Sequence, residues 1–291
     1  MDSNPPFSRL ALIGVGYIGG SAALAARRAG VVGSVIGYDV APQAGPLAVA
    51  AGVVDEMAAS AEAAAAGASL VLLAAPVQSL AGLVRRIAGR LAPTATVIDV
   101  GSVKQQVVLD ADAALPGGQF VGCHPMAGAE HTGVTAADPE IFPGRMCFVC
   151  PTERTRGEAT LAATLFWQGL GCQVEAIEPS LHDRLMAAVS HLPHVAAFAL
   201  AASLADVLPL VESNVLAARP TTSLRDTIRI AASSPQVWRD IFLANRDHLV
   251  PLVRELEQRV HAIGAAMAEA DAPALEAALA LGQACRRRLV K

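Results

Sequence analysis

Lysine is almost missing from this chain. Of its 22 Lys and Arg residues only Lys104 and Lys291 are lysines. Long runs of one charge are missing too, and the formal net charge is −4 with 16% charged residues. An acidic chain with no basic stripe is not made to hold a nucleic-acid backbone, so no nucleic-acid partner is expected. Cysteine occurs five times, an odd number, which points to free thiols. Cys147 and Cys150 form a lone C-x-x-C inside MCFVC. No second pair completes a zinc site, and the segment reads as a strand, so both are expected in the core and no metal is expected. There is no internal repeat. The 53% hydrophobic content excludes disorder.

Two stretches imitate membrane signals. Arg9 followed by LALIGVGYIGGSAALAA has the look of a signal-peptide core. Leu185–Ala205 carries no Asp, Glu, Lys or Arg, but holds His191, Pro193 and His194 near its middle. A helix in the middle of a helical core accounts for the second. Phased glycines account for the first. A cytoplasmic protein with no membrane span is expected.

Those glycines are Gly14, Gly16 and Gly19, spaced G-x-G-x-x-G between the apolar run Leu10–Ile13 and the alanine-rich Ser21–Arg28. Strand, glycine turn and helix in that order predict a phosphate-binding loop. One glycine makes the turn, one admits the pyrophosphate, and one lets helix and strand approach. A second strand, Val35–Tyr38, ends in Asp39, 20 residues past Gly19. A carboxylate there accepts the ribose hydroxyls and repels a 2′-phosphate, which favours NAD over NADP. The cofactor residues are expected to be Gly14, Gly16, Tyr17, Ile18, Gly19, Asp39 and, at the carboxyl end of the strand Ser69–Ala75, Pro76.

The rest of the first half alternates strand and helix. An alanine-rich helical stretch reaches about Ala66, and Val77–Leu91 is an amphipathic helix. Thr96–Val100 is a strand, and Ser102 with Gln105 three residues on reads as a capping box. Gln119–Gly122, Arg145–Cys150 and Cys172–Ile177 are further strands, with a long loop at His124–Gly144 and a helix at Gly157–Leu170. From Pro179 on only helical patterns remain. Ser234-Pro235 opens one helix, with a kink expected at Pro251, and Pro273–Leu289 is the last. The plan predicts an α/β Rossmann-type doubly wound sheet over residues 1–178 and an all-α substrate and dimerisation domain over 179–291. The helical part carries more apolar surface than it can bury alone, so a C2 homodimer is expected.

Polar residues in apolar surroundings are the candidates for chemistry. They fall in GSVK (101–104), HPMAGAEHTG (124–133), SHLPH (190–194) and RDTIRIA (225–231). Taken with GVGYIGGS, DVGSVK and SPQVWRDIFLAN, in this order, they resemble the motif series of the prephenate/arogenate dehydrogenase family. The resemblance spans Gly14 to Asn245. It implies NAD-dependent oxidative decarboxylation of a cyclohexadienol, giving 4-hydroxyphenylpyruvate or tyrosine. It also implies that His124 is catalytic with Ser102 beside it, that His194 and Arg229 bind substrate, and that Trp238 lines the site, its own or that of a partner subunit. A chain ending here is expected to lack the C-terminal regulatory domain and the fused mutase of some members.

The chemistry of the residues agrees with those roles. A neutral imidazole is the natural base near pH 7, and a guanidinium suits an anionic substrate. His191 is expected to be structural. Lys104 reads either as a site residue or as a solvated first-turn lysine. The rival enzymes are dehydrogenases of β-hydroxyacid or pyrroline-carboxylate reductase type, and a remoter rival is a non-catalytic NAD-binding regulator. The rival enzymes would not need HPMAG and SHLPH together, and the regulator would tolerate loss of the His/Arg pair, both of which are present.

Overall fold

The first strand, β1 (Phe7–Ile13), occupies the middle of a sheet because its second half, Leu10–Ile13, is apolar on both faces and wholly buried. It pairs in parallel with β2 (Val32–Tyr38) on one side and β4 (Leu70–Leu73) on the other. The structure, a computed structural model, describes residues 5–128, 132–207 and 221–289. Eight strands form one sheet in the order β3-β2-β1-β4-β5-β6-β7-β8. The edge strand β3 is the pair Glu56–Met57, which interrupts the alanine-rich stretch expected to be helical. Helices α2 (Ala44–Ala50) and α3 (Ala61–Ala65) flank it.

Strands β5 (Thr96–Asp99) and β6 (Phe120–Pro125) continue the parallel series. Then the direction turns. β7 (Met146–Cys150) runs antiparallel to β6, and β8 (Gln173–Ala176) lies parallel to β7 at the other edge. This pairing corrects the expected end of β6. Its ladder with β7 continues past Gly122 through His124 opposite Phe148 and Pro125 opposite Cys147. His124 therefore stands within the strand's last two residues rather than in the loop after it.

Helices cover both faces. Helix α1 (Tyr17–Arg28) packs closely because its inner side is Gly19, Gly20 and four alanines. A Cβ at Gly19 would lie 2.5 Å from the Gly14 carbonyl oxygen and 2.7 Å from the Ala74 Cβ. Helix α4 (Val77–Ile87) buries Leu80, Leu83, Val84 and Ile87, spaced for one face. Each contributes about 1.5–3 kcal/mol of burial energy. Helices α5 (Gln105–Ala114) and α6 (Gly157–Gly169) complete the layers. Cys147 belongs to the core on one face and Cys150 to the core on the other. A strand alternates its side chains, so residues three apart point in opposite directions.

The chain divides into two compact units. The first is Met1–Met186 with Ile230–Asn245, and the second is Ala187–Arg229 with Arg246–Lys291. Within the first lie α7 (Pro179–Met186) and α10 (Pro235–Ala244), and α10 packs on α4. Ser234 caps α10, and Pro235 takes its first turn, as the sequence predicts. The second unit is helical: α8 (Leu192–Val207), α9 (Thr222–Ile228), α11 (Arg246–Ala268) and α12 (Ala272–Leu289). A π-helical turn, Ala187–His191, breaks the single helix expected over 180–205. Pro251 sits inside α11. The expectation that this run lies in the middle of a core fails in the single chain. Only 22% of its most apolar stretch is buried, and Leu185, Val189 and Leu200 are exposed. Apolarity all round specifies a covered helix, but not which molecule covers it.

Candidate active site

The glycine loop connects β1 to α1 at the carboxyl end of the sheet. Gly14 has φ +97°, and a Cβ there would lie 2.4 Å from the Ala74 carbonyl oxygen, so only glycine fits. Gly16 differs. A Cβ on it would meet nothing within 4 Å, leaving the start of α1 open to a ligand's phosphates. Gly16 is the N-cap residue, and no side chain caps the helix. Tyr17 is buried in the first turn and Ile18 half-buried beside it. Burial, followed by the charge of Asp138, raises the Tyr17 phenol above its ordinary value.

Asp39 follows the end of β2 and ties it to this loop. Its carboxylate accepts hydrogen bonds from the Val15 N–H at 2.7 Å and the Ala41 N–H at 2.8 Å, one on each oxygen. A pocket of about 360 Å³ opens beside it, lined in part by Pro42, Gly45, Pro46 and Met57. Pro76 is exposed after β4 and leads into α4. A turn that only glycine permits, an open helix start, an acid and a pocket beyond the acid fit a dinucleotide.

The segment from β5 to α5 is organised by two carboxylates. Asp99, fully buried, accepts from the N–H of Gly101 at 2.9 Å and of Cys123 at 2.8 Å. It also pairs with the Lys104 ammonium. Lys104 is 0% exposed, which corrects the expectation of a solvated first-turn lysine. It is the partner of a buried acid. The second carboxylate, Asp183, lies 79 residues beyond Lys104 and accepts from the Lys104 N–H at 2.7 Å and the Gln105 N–H at 2.9 Å. It caps α5 in place of the expected Ser102 box. That box fails because α5 begins at Gln105, whereas a Ser102 N-cap would start it at Val103. Ser102 is half-buried between β5 and the helix.

His124 is buried, and its Nδ1 lies 2.9 Å from Nε2 of His182. His182, 0% exposed, places its Nδ1 2.8 Å from Asp183 Oδ1. The ring of Phe148 meets His182 edge-on at 5.7 Å. Asn245 donates to the Asp183 carbonyl at 2.8 Å. Glu178 accepts from the N–H groups of Ser180 and Leu181, which fixes the start of α7 and so the two residues it carries inward. The sequence reading omitted His182, Asp183 and Asp99. A lone internal lysine was the one local sign that a buried acid waits nearby; nothing local marks His182.

Trp238, half-buried on α10, lies 5.4 Å from the ring of Phe242. In the second unit His194 stands on α8, where its Nδ1 lies 2.8 Å from the Ser190 carbonyl oxygen. Burial, then the nearby charge of Arg229, holds the imidazole below its usual value despite that hydrogen bond. His194 and Arg229 thus share one electrostatic environment. Arg229 is exposed just after α9, and His191 is buried in the π-helical turn. Ala129, Glu130 and His131 of the HPMAGAEHTG loop lie outside the described residues.

Comparison with known proteins gives this geometry a family. The models of the prephenate dehydrogenase nucleotide-binding domain and of the prephenate dehydrogenase dimerization domain match residues 22–176 and 178–281. Prephenate dehydrogenase of Bacillus subtilis is 32% identical over 266 residues, covering 90% of this chain and 70% of that one. Cyclohexadienyl dehydrogenase of Zymomonas mobilis is 30% identical over 265 residues, covering 91% and 90%. The crystal structure of A. aeolicus prephenate dehydrogenase with hydroxyphenyl propionate and NAD+ superposes with a TM-score of 0.85 at 32% identity, covering 97% and 98% of the chains. On both domains and nearly its whole length, the chain belongs to the prephenate dehydrogenase family.

Proposed function

We propose that this chain catalyses NAD-dependent oxidative decarboxylation of a cyclohexadienol, prephenate or arogenate, on the route to tyrosine. The observation that carries the reading is the buried His124 at the carboxyl end of β6, in a unit whose glycine loop and Asp39 suit a dinucleotide. Bound NAD supplies the hydride acceptor. The protein's own residues have three tasks. Gly14, Gly16, Tyr17, Ile18, Gly19, Asp39 and Pro76 hold the cofactor, with the Asp39 carboxylate set against a 2′-phosphate. His124 takes the proton of the substrate's ring hydroxyl, with Ser102 beside it. His194 and Arg229 bind the substrate, Arg229 through its carboxylate, and Trp238 lines the site. Loss of the ring carboxylate as CO2 leaves an aromatic product and drives the reaction forward.

Residues 1–178 serve in this reading as the dinucleotide-binding domain and 179–291 as the substrate and dimerisation domain. A second copy related by two-fold symmetry covers the apolar helices, and the enzyme works in the cytoplasm. The match to a dimerization-domain model over 178–281 and the exposed Leu185, Val189 and Leu200 support the dimer. Light scattering at micromolar concentration should give twice the chain mass, and a monomer mass refutes it. Initial rates of NADH or NADPH formation with each substrate and each cofactor test the activity. Turnover of neither substrate with NAD overturns the reading.

A further inference from the structure

We propose that His182 and Asp183 are positioning residues that lock His124 in one tautomer, with its proton on Nδ1 and Nε2 as the proton-accepting nitrogen. The proposal rests on the reading of His124 as the base and explains how that base is prepared.

Asp183 sets where the protons lie. Its carboxylate only accepts, and it already takes the Lys104 and Gln105 N–H groups at 2.7 and 2.9 Å. The His182 Nδ1 at 2.8 Å must therefore carry a proton and donate it. A neutral His182 then presents a lone pair on Nε2. The 2.9 Å separation from His124 Nδ1 is a hydrogen bond only if a proton lies between the two nitrogens, and His124 must supply it. With Nδ1 protonated, neutral His124 has its remaining lone pair on Nε2. Each step follows from which atom can donate.

The alternative is a doubly protonated His182 that donates to His124 and puts the His124 proton on Nε2. It would require a full imidazolium with no solvent access. On β5 and α5, Asp99 and Lys104 neutralise each other. On β7, burial raises the thiol of Cys147 and pushes that of Cys150 up to about 12, so both stay uncharged. The Asp183 carboxylate meets His182, and two backbone N–H groups already share it.

The same chain serves the reaction. When the substrate hydroxyl gives up its proton, the O–H bond breaks and its electron pair stays on oxygen. The proton forms the N–H bond at His124 Nε2. The positive charge that then appears on the ring is shared through Nδ1–H with His182 and offset by Asp183. No other reactant is needed. Of the groups assigned to binding and proton transfer His182 meets His124, so its loss should alter proton transfer and leave binding alone.

The test begins with ¹⁵N shifts of the imidazole nitrogens in the labelled full-length protein, with His124 assigned from the spectrum of His124→Gln. Nδ1 of His124 should be protonated and Nε2 unprotonated; the reverse overturns the proposal. His182→Phe fills the space and leaves Asp183 on α5, but removes the acceptor. Its kcat should fall about ten- to hundredfold, less than the loss of the base itself. Its KM values should stay within about threefold and the acidic limb of kcat should move to lower pH. His182→Gln returns an acceptor oxygen and should recover at least about tenfold of that loss. A folded His182→Phe with unchanged kcat and acidic limb refutes the proposal, and so does a His182→Gln no better than His182→Phe. If His182→Phe does not fold, the wild-type tautomer decides alone. Failure to turn over either substrate would sink the catalytic reading, while the tautomer measurement would still judge the His124–His182–Asp183 chain.

Discussion

Replacing Lys104 with methionine should destabilise the first unit by about 3–5 kcal/mol, the range for removing one member of a buried ion pair. Both side chains of the pair are 0% exposed. Methionine keeps an apolar stem where the Lys104 Cδ lies against Gly122, so the substitution removes the charge with little change in packing. Asp99 would be left as a buried carboxylate holding only the N–H groups of Gly101 and Cys123. The cost is then mainly that of an uncompensated charge, and neutralising it should reverse most of the loss. Asp99→Asn in the same chain still offers an oxygen to the Cys123 N–H, and the double variant should stand well above Lys104→Met alone. Urea unfolding followed by circular dichroism measures all three variants. Two results would refute this account: wild-type stability in Lys104→Met, or a double variant as unstable as the two single losses added.

The other predictions concern the site and the thiols. Asp39→Asn should raise kcat/KM for NADP relative to NAD, measured from initial rates; an unchanged ratio would remove Asp39 from cofactor choice. His124→Asn should lower kcat about 10²–10⁴-fold with little change in KM and abolish the acidic limb of the rate profile. Arg229→Ala should chiefly raise KM, by about ten- to a hundredfold, because its carboxylate partner is charged before reaction begins. His194 is held low by burial and then by Arg229, so the folded protein resists its protonation. Its contribution to stability is complete above the ordinary value of about 6.5 and is lost as pH falls through the lowered one. His194→Gln should flatten that part of a pH–stability curve. Of the five free cysteines only Cys285 is exposed, and burial raises the other four thiols. A thiol reagent at pH 8 should modify one cysteine in the native protein and five after unfolding.

What the sequence disclosed follows from the range of each interaction. The glycine turn, the acid at the end of β2 and the Ser234-Pro235 cap are decided within a few residues, and they stand in the structure as read. His124 was legible through its motif, but its place inside β6 was not. That depends on pairing with β7, more than 20 residues away, which carries the ladder past the end of β5. The capping box at Ser102 was a sound local pattern overruled by a distant competitor. The Asp183 carboxylate is a charged acceptor, and it meets the N–H groups at the actual start of α5. His182 lay in plain sight as an ordinary helical histidine. Its meaning arises only when the fold brings residues 58 positions apart into contact. Burial along 180–205 was misjudged for another reason: hydrophobicity is a property of the chain, whereas cover can come from another molecule.

The sheet's two margins bear on how copies of this protein meet. One edge is the two-residue β3, and the other is β8, four residues with Gln173 and Glu175 exposed. Neither offers a long apolar row of unpaired amides on which a strand from another molecule could add, so open-ended stacking through the sheet is suppressed. Among the described residues the exposed large apolar side chains, Val40 apart, lie on helices, which have no spare backbone hydrogen bonds along their length and associate only through side chains of matching shape. A crowded solution of this protein should therefore gather into closed, countable assemblies rather than fibres.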